Sequence, residues 1–370
     1  MKDIQHYRKI DKIRSIEKEV EGANGKKLFD ISNWNSGEKY KSGLMKVLEL
    51  GNVSNFFDYS YSYSTNPEII KSLTNKHDYV EQCAIFHSAT SAIASICAVL
   101  KQLDINRICI ITPSYFSAYE SFCAFDFDVI SLFYDYYDGY YHIPFDEIKK
   151  NNVDAIWITQ PVFSTGMYID NKEICNISNN CKFLICDACM CPVDRISSLN
   201  LDYDKSFVIL SPHKTISING IKFSYVLCNT KNRQLLEDWG DVISGGLPAS
   251  SVLAISHYLS ENFKKCEEYH ECYTTKSREV IDSLLDNTNV LEHIGKSTGS
   301  YESYAFKNST YASSIDDIPL MKIFSKSKTS FIPGCVNGFP PTNKICFRLN
   351  HTLNISETKE ALFRIISICI

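Results

Sequence analysis

Three short stretches of this sequence end apolar runs on side chains that can do chemistry. In FVILSPHKTISINGIKFSYVL, Lys214 comes just after a strand-like run, with Ser211 and His213 before it and Gly220 and Lys222 after it. A lysine amine entering a pocket from a strand end can form a Schiff base when desolvation or nearby positive charge lowers its pKa. An exposed loop lysine is the ordinary alternative. In KFLICDACM, Asp187 directly follows an apolar run, where a carboxylate is costly unless it meets a cation or a hydrogen-bond donor. A helix cap or turn residue would look the same. In CAIFHSATSAIASICAVL, a strand runs into His87, Ser88, Ala89 and Thr90 and then into a helix. Backbone N–H groups and two hydroxyls then gather at a helix N-terminus, an arrangement that binds phosphate. Ser and Thr are equally ordinary as N-caps.

Together the three stretches supply a phosphate cradle, a carboxylate for a ring nitrogen and a nucleophilic amine, which is the set needed to hold pyridoxal 5'-phosphate. Chance produces the whole set far less often than any one part.

Such residues need a sheet to position them. From about residue 83 to 228, β-rich apolar runs alternate with segments long enough for a helix. This predicts an α/β domain with a mostly parallel, seven-stranded sheet covered on both faces. The expected strands are 83–86, 107–112, 127–134, 154–160, 182–187, 207–211 and 223–228. Ligands bind at the C-terminal ends of strands in open sheets of this kind, where all three stretches fall. GGLPASS is read as a break, followed by one helical pattern from Val252 to Leu285. SYESYAFK, PLMKIFSK, KICFRLN and ETKEALFRIISICI then mix strand-like and helical pieces. The expected division is 1–50, an N-terminal segment packing on the small domain; 51–250, a large cofactor-binding domain; and 251–370, a linking helix with a small C-terminal α+β domain.

Composition narrows the class. With 370 residues, 44% hydrophobic and 22% charged, the chain is neither disordered nor collagenous nor a short disulfide scaffold. The 38 basic and 43 acidic side chains give a net charge of -5 without a basic block, which argues against nucleic acid as the main partner. Fifteen scattered cysteines read as reduced, buried thiols of a cytoplasmic protein. The charged N-terminus lacks the apolar core of a signal peptide, and Ser88 to Leu100 is too short to span a bilayer, so no membrane partner is expected. CDACMC (Cys186, Cys189, Cys191) is disfavoured as a metal site, because Cys186 belongs to an apolar strand and no second Cys pair has suitable spacing.

On these residues the sequence resembles the fold-type I pyridoxal-phosphate enzymes, most closely the class I/II aminotransferase-like group, from about Asp30 to the C-terminus. The resemblance implies an aspartate aminotransferase-like fold with Lys214 as the Schiff-base lysine and Asp187 as partner of the pyridine nitrogen. Ser88, Ala89, Thr90, Ser211 and Lys222 are implied to bind the phosphate. The Pro-x-aromatic pattern in ITPSYFSAYESF makes Tyr115 the ring that stacks on the cofactor, and Cys189 falls where the family packs a small residue beneath it. Pro333, Gly334 and Arg348 match the late signature, which gives Arg348 the substrate carboxylate. Trp34 and Asn35 are implied near the substrate. Tyr61 or Tyr63 is implied to reach the neighbouring site of a homodimer. His213 precedes the lysine as in the class V branch, where it would bond the phosphate or fill the strand end.

The stretch QPVFSTG departs from the family pattern. Phe163 stands where an Asn donates to the cofactor's phenol oxygen, and Met190 replaces the other usual donor, a Tyr. Gln160 is the residue available to substitute. The resemblance therefore implies an enzyme acting on an α-amino acid, an aminotransferase first. Elimination, cyclisation, decarboxylation or oxidation on the same scaffold is the alternative favoured by Phe163 and Met190. A degenerate, non-catalytic binding subunit is a third reading, against which Lys214 and Asp187 argue.

Overall fold

The computed structural model of the chain describes residues 5–32, 36–44, 46, 67–286, 288–294, 297, 299–307, 318–339 and 346–369. Trp34, Asn35, Tyr61 and Tyr63 lie outside them. The chain divides into two compact units: residues 47–163 with 168–267, and residues 1–46 with 164–167 and 268–370.

The first unit holds a seven-stranded sheet whose spatial order is Gln82–Phe86, Ser224–Cys228, Ser206–Leu210, Phe183–Asp187, Ala155–Thr159, Arg107–Thr112 and Asp128–Phe133. Six strands run the same way, and Ser224–Cys228 is antiparallel to both neighbours. The α/β class and the seven expected strands are those found. Ala155–Thr159, Phe183–Asp187, Ser206–Leu210 and Ser224–Cys228 are buried at every residue. Covered faces leave no polar side to alternate with, so these strands read as unbroken apolar runs. At the edge, Asp128–Phe133 exposes Asp128, Ser131 and Phe133.

Helix Ala89–Gln102 buries Ala92, Ile93, Ile96, Val99 and Leu100 in the same core as Trp157, Phe122 and Phe207. Full burial of each large aliphatic side chain contributes about 1.5–3 kcal/mol. Eight cysteines of this unit, among them Cys83, Cys109 and Cys228, are buried, and burial pushes the Cys109 thiol up to about 12.

Two expectations are corrected. The single helix from Val252 to Leu285 is two helices, Ala249–Tyr258 and Glu261–Leu285. They part at Ser260, whose hydroxyl donates to the His257 carbonyl at 2.7 Å. Ile255, Tyr258, Phe263 and Cys266 stay buried on either side of it, so the apolar spacing runs on through the break. The second correction is a hairpin, Asp135–Tyr137 with Tyr140–His142, that follows the edge strand and was not expected. Its turn places Asp138 and Gly139 at φ +53° and +80°, the type I' geometry for which Asp-Gly is favoured.

The second unit carries an antiparallel sheet of Leu291–His293, Tyr301–Phe306 and Cys346–Asn350, and a parallel pair of Phe29–Asp30 with Thr329–Ser330. Helices Gln5–Asn24, Ile318–Ser327 and Ile355–Cys369 complete it, around a core that includes Ile13, Val20, Phe324, Phe331, Phe347 and Ile365. Among the described residues, no helix is long and apolar enough to cross a membrane.

Glu302 is buried in this unit and bonds to His351 Nε2 at 2.9 Å, the Tyr304 hydroxyl at 2.7 Å and the Ser297 N–H at 3.0 Å. Burial alone raises a carboxyl, but these bonds outweigh it and hold Glu302 at about 2. A depressed folded pKa contributes stability that is present above the ordinary value of 4.5 and lost as the pH falls towards 2. Glu302→Gln is therefore expected to lower unfolding stability by about 3 kcal/mol at neutral pH and to weaken its acid dependence. Urea unfolding across that pH range measures both.

Candidate active site

The reversed strand decides which side chains meet. Ser224 pairs with Phe86 and Tyr225 with Leu210. Lys222, just ahead of the reversed strand, therefore comes to the same sheet edge as the C-terminal ends that carry His87, Ser88 and Ser211. A cavity of about 520 Å³ opens at this edge.

Ser88, Ala89 and Thr90 line the cavity at the start of helix Ala89–Gln102. Ser88 is the N-cap: its hydroxyl accepts the Ser91 N–H at 3.2 Å, while the Ser91 hydroxyl accepts the Ser88 N–H at 3.3 Å. Capping and phosphate binding are compatible here, because the box uses the N–H groups of Ser88 and Ser91. The N–H groups of Ala89 and Thr90 remain as donors that a helix start cannot satisfy internally. Lys222, on the same cavity, adds a positive charge.

Ser211, His213 and Lys214 reach the cavity from the end of strand Ser206–Leu210 through the one-turn helix Pro212–Thr215. Lys214 N–H donates to the Ser211 carbonyl at 2.9 Å, and its Nζ lies 5.7 Å from the centroid of the Tyr115 ring, within cation–π range. Tyr115 also lines the cavity. Its ring lies 5.9 Å from that of Phe163, so two aromatic side chains adjoin where the resemblance had one aromatic and one amide.

Asp187 ends its strand and is 8% exposed. Its Oδ1 accepts the Cys189 N–H at 3.1 Å and its carbonyl accepts the Gln160 N–H at 2.8 Å. The Ser211 hydroxyl donates to Cys189 Sγ at 3.4 Å and is bonded to the Ser224 hydroxyl. Burial pushes the Cys189 thiol well up; the Asp187 charge acts the same way and Lys214 opposes it. Cys189 is thus a neutral thiol within electrostatic reach of both the carboxylate and the amine.

His213 is 1% exposed and its Nε2 lies 3.1 Å from His257 Nδ1. Burial, assisted by the neighbouring His257, pushes it down to about 3, so it is a neutral imidazole. Among the described residues its Nδ1 has no hydrogen-bond partner.

Other expected residues sit elsewhere. Gln160 does not line the cavity: its amide nitrogen donates to the Ile169 carbonyl at 2.9 Å and its amide oxygen accepts the Ile169 N–H at 3.0 Å. The residue available to replace the missing phenol-oxygen donor is thus tied to the loop after the strand. Asp187, Cys189 and Phe163 are linked to the cavity through Ser211 and Tyr115 and do not line it. Arg348 belongs to the other unit. It is 2% exposed, donates from Nη2 to the Ser32 carbonyl at 2.7 Å, and lies 4.9 Å from the Tyr301 ring centroid.

His87, Asn219 and Ser224 also line the cavity and were not among the expected site residues. His87 stands next to the N-cap Ser88, a position that could have flagged it. Ser224 and Asn219 become relevant only once the last strand is known to be reversed.

The donor set suits a phosphorylated aromatic aldehyde. It offers an amine for the carbonyl, a helix start and Lys222 for the phosphate, and Tyr115 for a ring face. The volume lies within the usual small-ligand range of about 300–1,000 Å³.

No family model and no curated protein matches the sequence. Solved structures do match its fold. YbdL from Escherichia coli, described with a methionine aminotransferase function, superposes with a TM-score of 0.73 at 13% identity over 95% of this chain and 96% of its own. Alanine aminotransferase from Pyrococcus furiosus gives 0.73 at 16% identity over 96% and 95%. The aspartate aminotransferase from Rhizobium meliloti gives 0.74 at 14% identity over 96% and 95%. The chain therefore has an aspartate aminotransferase-like fold along nearly its whole length.

Proposed function

We propose, from this shared fold and the cavity at its strand ends, that the protein is a pyridoxal-phosphate-dependent enzyme acting on α-amino acids, with transamination as its reaction. The observation that carries the reading is the convergence of Lys214, Lys222, Tyr115 and the start of helix Ala89–Gln102 on one cavity. When bound, pyridoxal phosphate supplies an electron sink for the bond that is cleaved at the substrate's α-carbon.

The residues divide the remaining work. Lys214 would hold the cofactor by its aldehyde carbon and would serve as the general base for the proton on the substrate's α-carbon. Asp187 would keep the pyridine nitrogen protonated. Ser88, Ala89, Thr90, Ser211 and Lys222 would hold the phosphate and Tyr115 the ring face, with Cys189, bonded to Ser211 behind the cavity lining, as the small residue beneath it. Arg348, Trp34 and Asn35 for the substrate, and Tyr61 or Tyr63 for a partner subunit's site, rest on the resemblance alone.

Transamination needs an acceptor, and that tests the reading. With a panel of amino acids and 2-oxoglutarate, keto-acid product should form continuously and stop after one equivalent per site when the acceptor is withheld. Continued turnover without acceptor would point to elimination, decarboxylation or oxidation.

Phe163 gives a further expectation. Because it cannot donate a hydrogen bond, the cofactor's phenol oxygen is less stabilised as an anion. Phe163→Asn is expected to lower the pH midpoint of the bound cofactor's visible absorption by about one unit, the size of one charge-assisted hydrogen bond. A pH titration of the absorbance measures it.

A further inference from the structure

We propose that the hairpin of Asp135–Tyr137 with Tyr140–His142, together with the edge strand before it, is a docking surface for an extended, arginine- or lysine-bearing segment of another protein. None of its residues lines the cavity, so the surface is independent of the cofactor reading.

Register sets what the hairpin displays. Tyr137 stands opposite Tyr140 and Asp135 opposite His142, so these four side chains share one face. Tyr137 and Tyr140 are 55% and 62% exposed, and Asp135 beside them is exposed too. His142 stacks on the Tyr137 ring at 3.9 Å and 8° and is itself held by Glu173 at 2.7 Å, which fixes that ring with its other face open. On the hairpin's opposite face Tyr141 is buried against Tyr134 and Tyr136. The Tyr134 hydroxyl accepts the Thr159 N–H at 3.0 Å, so the exposed rings stand on a base anchored to the sheet. Among the described residues, Phe133, Tyr136, Tyr137 and Tyr140 are exposed here, and the other exposed aromatic side chains are Tyr79, Tyr119 and Phe363. The four form a cluster and not the scatter that an ordinary surface shows.

Charge selects the partner. From Phe125 to Ile148 the chain carries Asp126, Asp128, Asp135, Asp138, Asp146 and Glu147 and no lysine or arginine. Arg107 pairs with Asp128 and Lys150 with Glu147, while among the described residues no ion pair reaches Asp135 or Asp138. Open ring faces beside uncompensated carboxylates attract a guanidinium or ammonium group through both the ring quadrupole and the charge, and they repel an anionic partner. The adjoining strand favours a polypeptide over a free amine. Asp128–Phe133 is the last strand of the sheet and, among the described residues, pairs only with Arg107–Thr112. Its outer backbone groups are therefore open to an added strand. Phe133 ends that strand two residues before Asp135 begins the hairpin, so a segment paired there runs on to the carboxylates and rings that receive its cations.

Fluorescence anisotropy with a short labelled peptide of alternating arginine and threonine tests the proposal on the full chain. The peptide should bind, less tightly as salt is raised, and its counterpart with glutamate in place of arginine should not. Tyr137→Ser with Tyr140→Ser should weaken binding by about tenfold, the loss of two exposed cation–π contacts. Tyr137→Phe with Tyr140→Phe keeps both rings and should bind like the unaltered protein. Asp135→Asn with Asp138→Asn should weaken binding by about fivefold and flatten its salt dependence; this pair carries the test if the serine pair does not fold. Equal binding of the arginine and glutamate peptides would overturn the proposal, as would unchanged affinity in the folded serine or asparagine pair. Spermidine binding as tightly as the peptide would overturn the polypeptide assignment, and self-association abolished by the serine pair would give the face to a second copy of this chain instead.

Discussion

Lys214→Ala is expected to lower turnover by about 10²–10⁴-fold while leaving phosphate affinity close to that of the unaltered protein. The two effects separate because the proposed phosphate cradle uses Ser88, Ala89, Thr90, Ser211 and Lys222, which line the cavity without the lysine side chain. Lys214 Nζ also lies near the Tyr115 ring, so part of any loss could come from removing a charge. Lys214→Arg keeps a charge at that position and removes the nucleophilic amine. It should be about as inactive as the alanine variant, and a small amine added to the alanine variant should recover part of the rate. Steady-state rates with and without added amine measure both; an arginine variant near the unaltered rate would refute the nucleophile role.

Asp187→Asn has the second largest expected effect, a fall in kcat of about 10²–10³-fold. The substitution isolates charge. Asn keeps the acceptor for the Cys189 N–H, at 3.1 Å from Oδ1, so the turn after the strand survives and stability should change by under about 1 kcal/mol. What it removes is the negative charge proposed to keep the ring nitrogen protonated. Urea unfolding and kcat on the same preparation test the separation: unchanged kcat would remove Asp187 from the mechanism, and a large loss of stability would show a structural role instead.

The sheet was legible because its covered strands are continuous apolar runs, and the strand-end residues were legible because chemistry interrupts those runs. Lys214, Asp187 and Ser88 could be found that way. The direction of Ser224–Cys228 could not, since a fully buried strand has no alternation to reveal its orientation. The position of Lys222 beside His87 and Ser211 follows from that reversal. Side-chain commitments were also hidden. QPVFSTG does not reveal that the Gln160 amide bonds to Ile169, and nothing near SPHK points to His257 in a later helix. At Ser260 the apolar spacing runs on through the break between two helices. The Asp-Gly turn between tyrosines is itself a readable hairpin signal.

The central claim is that one lysine at this cavity carries the cofactor, and reduction with borohydride tests it most directly. Protein incubated with pyridoxal phosphate should show a visible band that disappears on reduction, and peptide mapping should find the phosphopyridoxyl group on Lys214 at about one per chain. An adduct on Lys222 or any other lysine, or no band that reduction abolishes, would contradict the account.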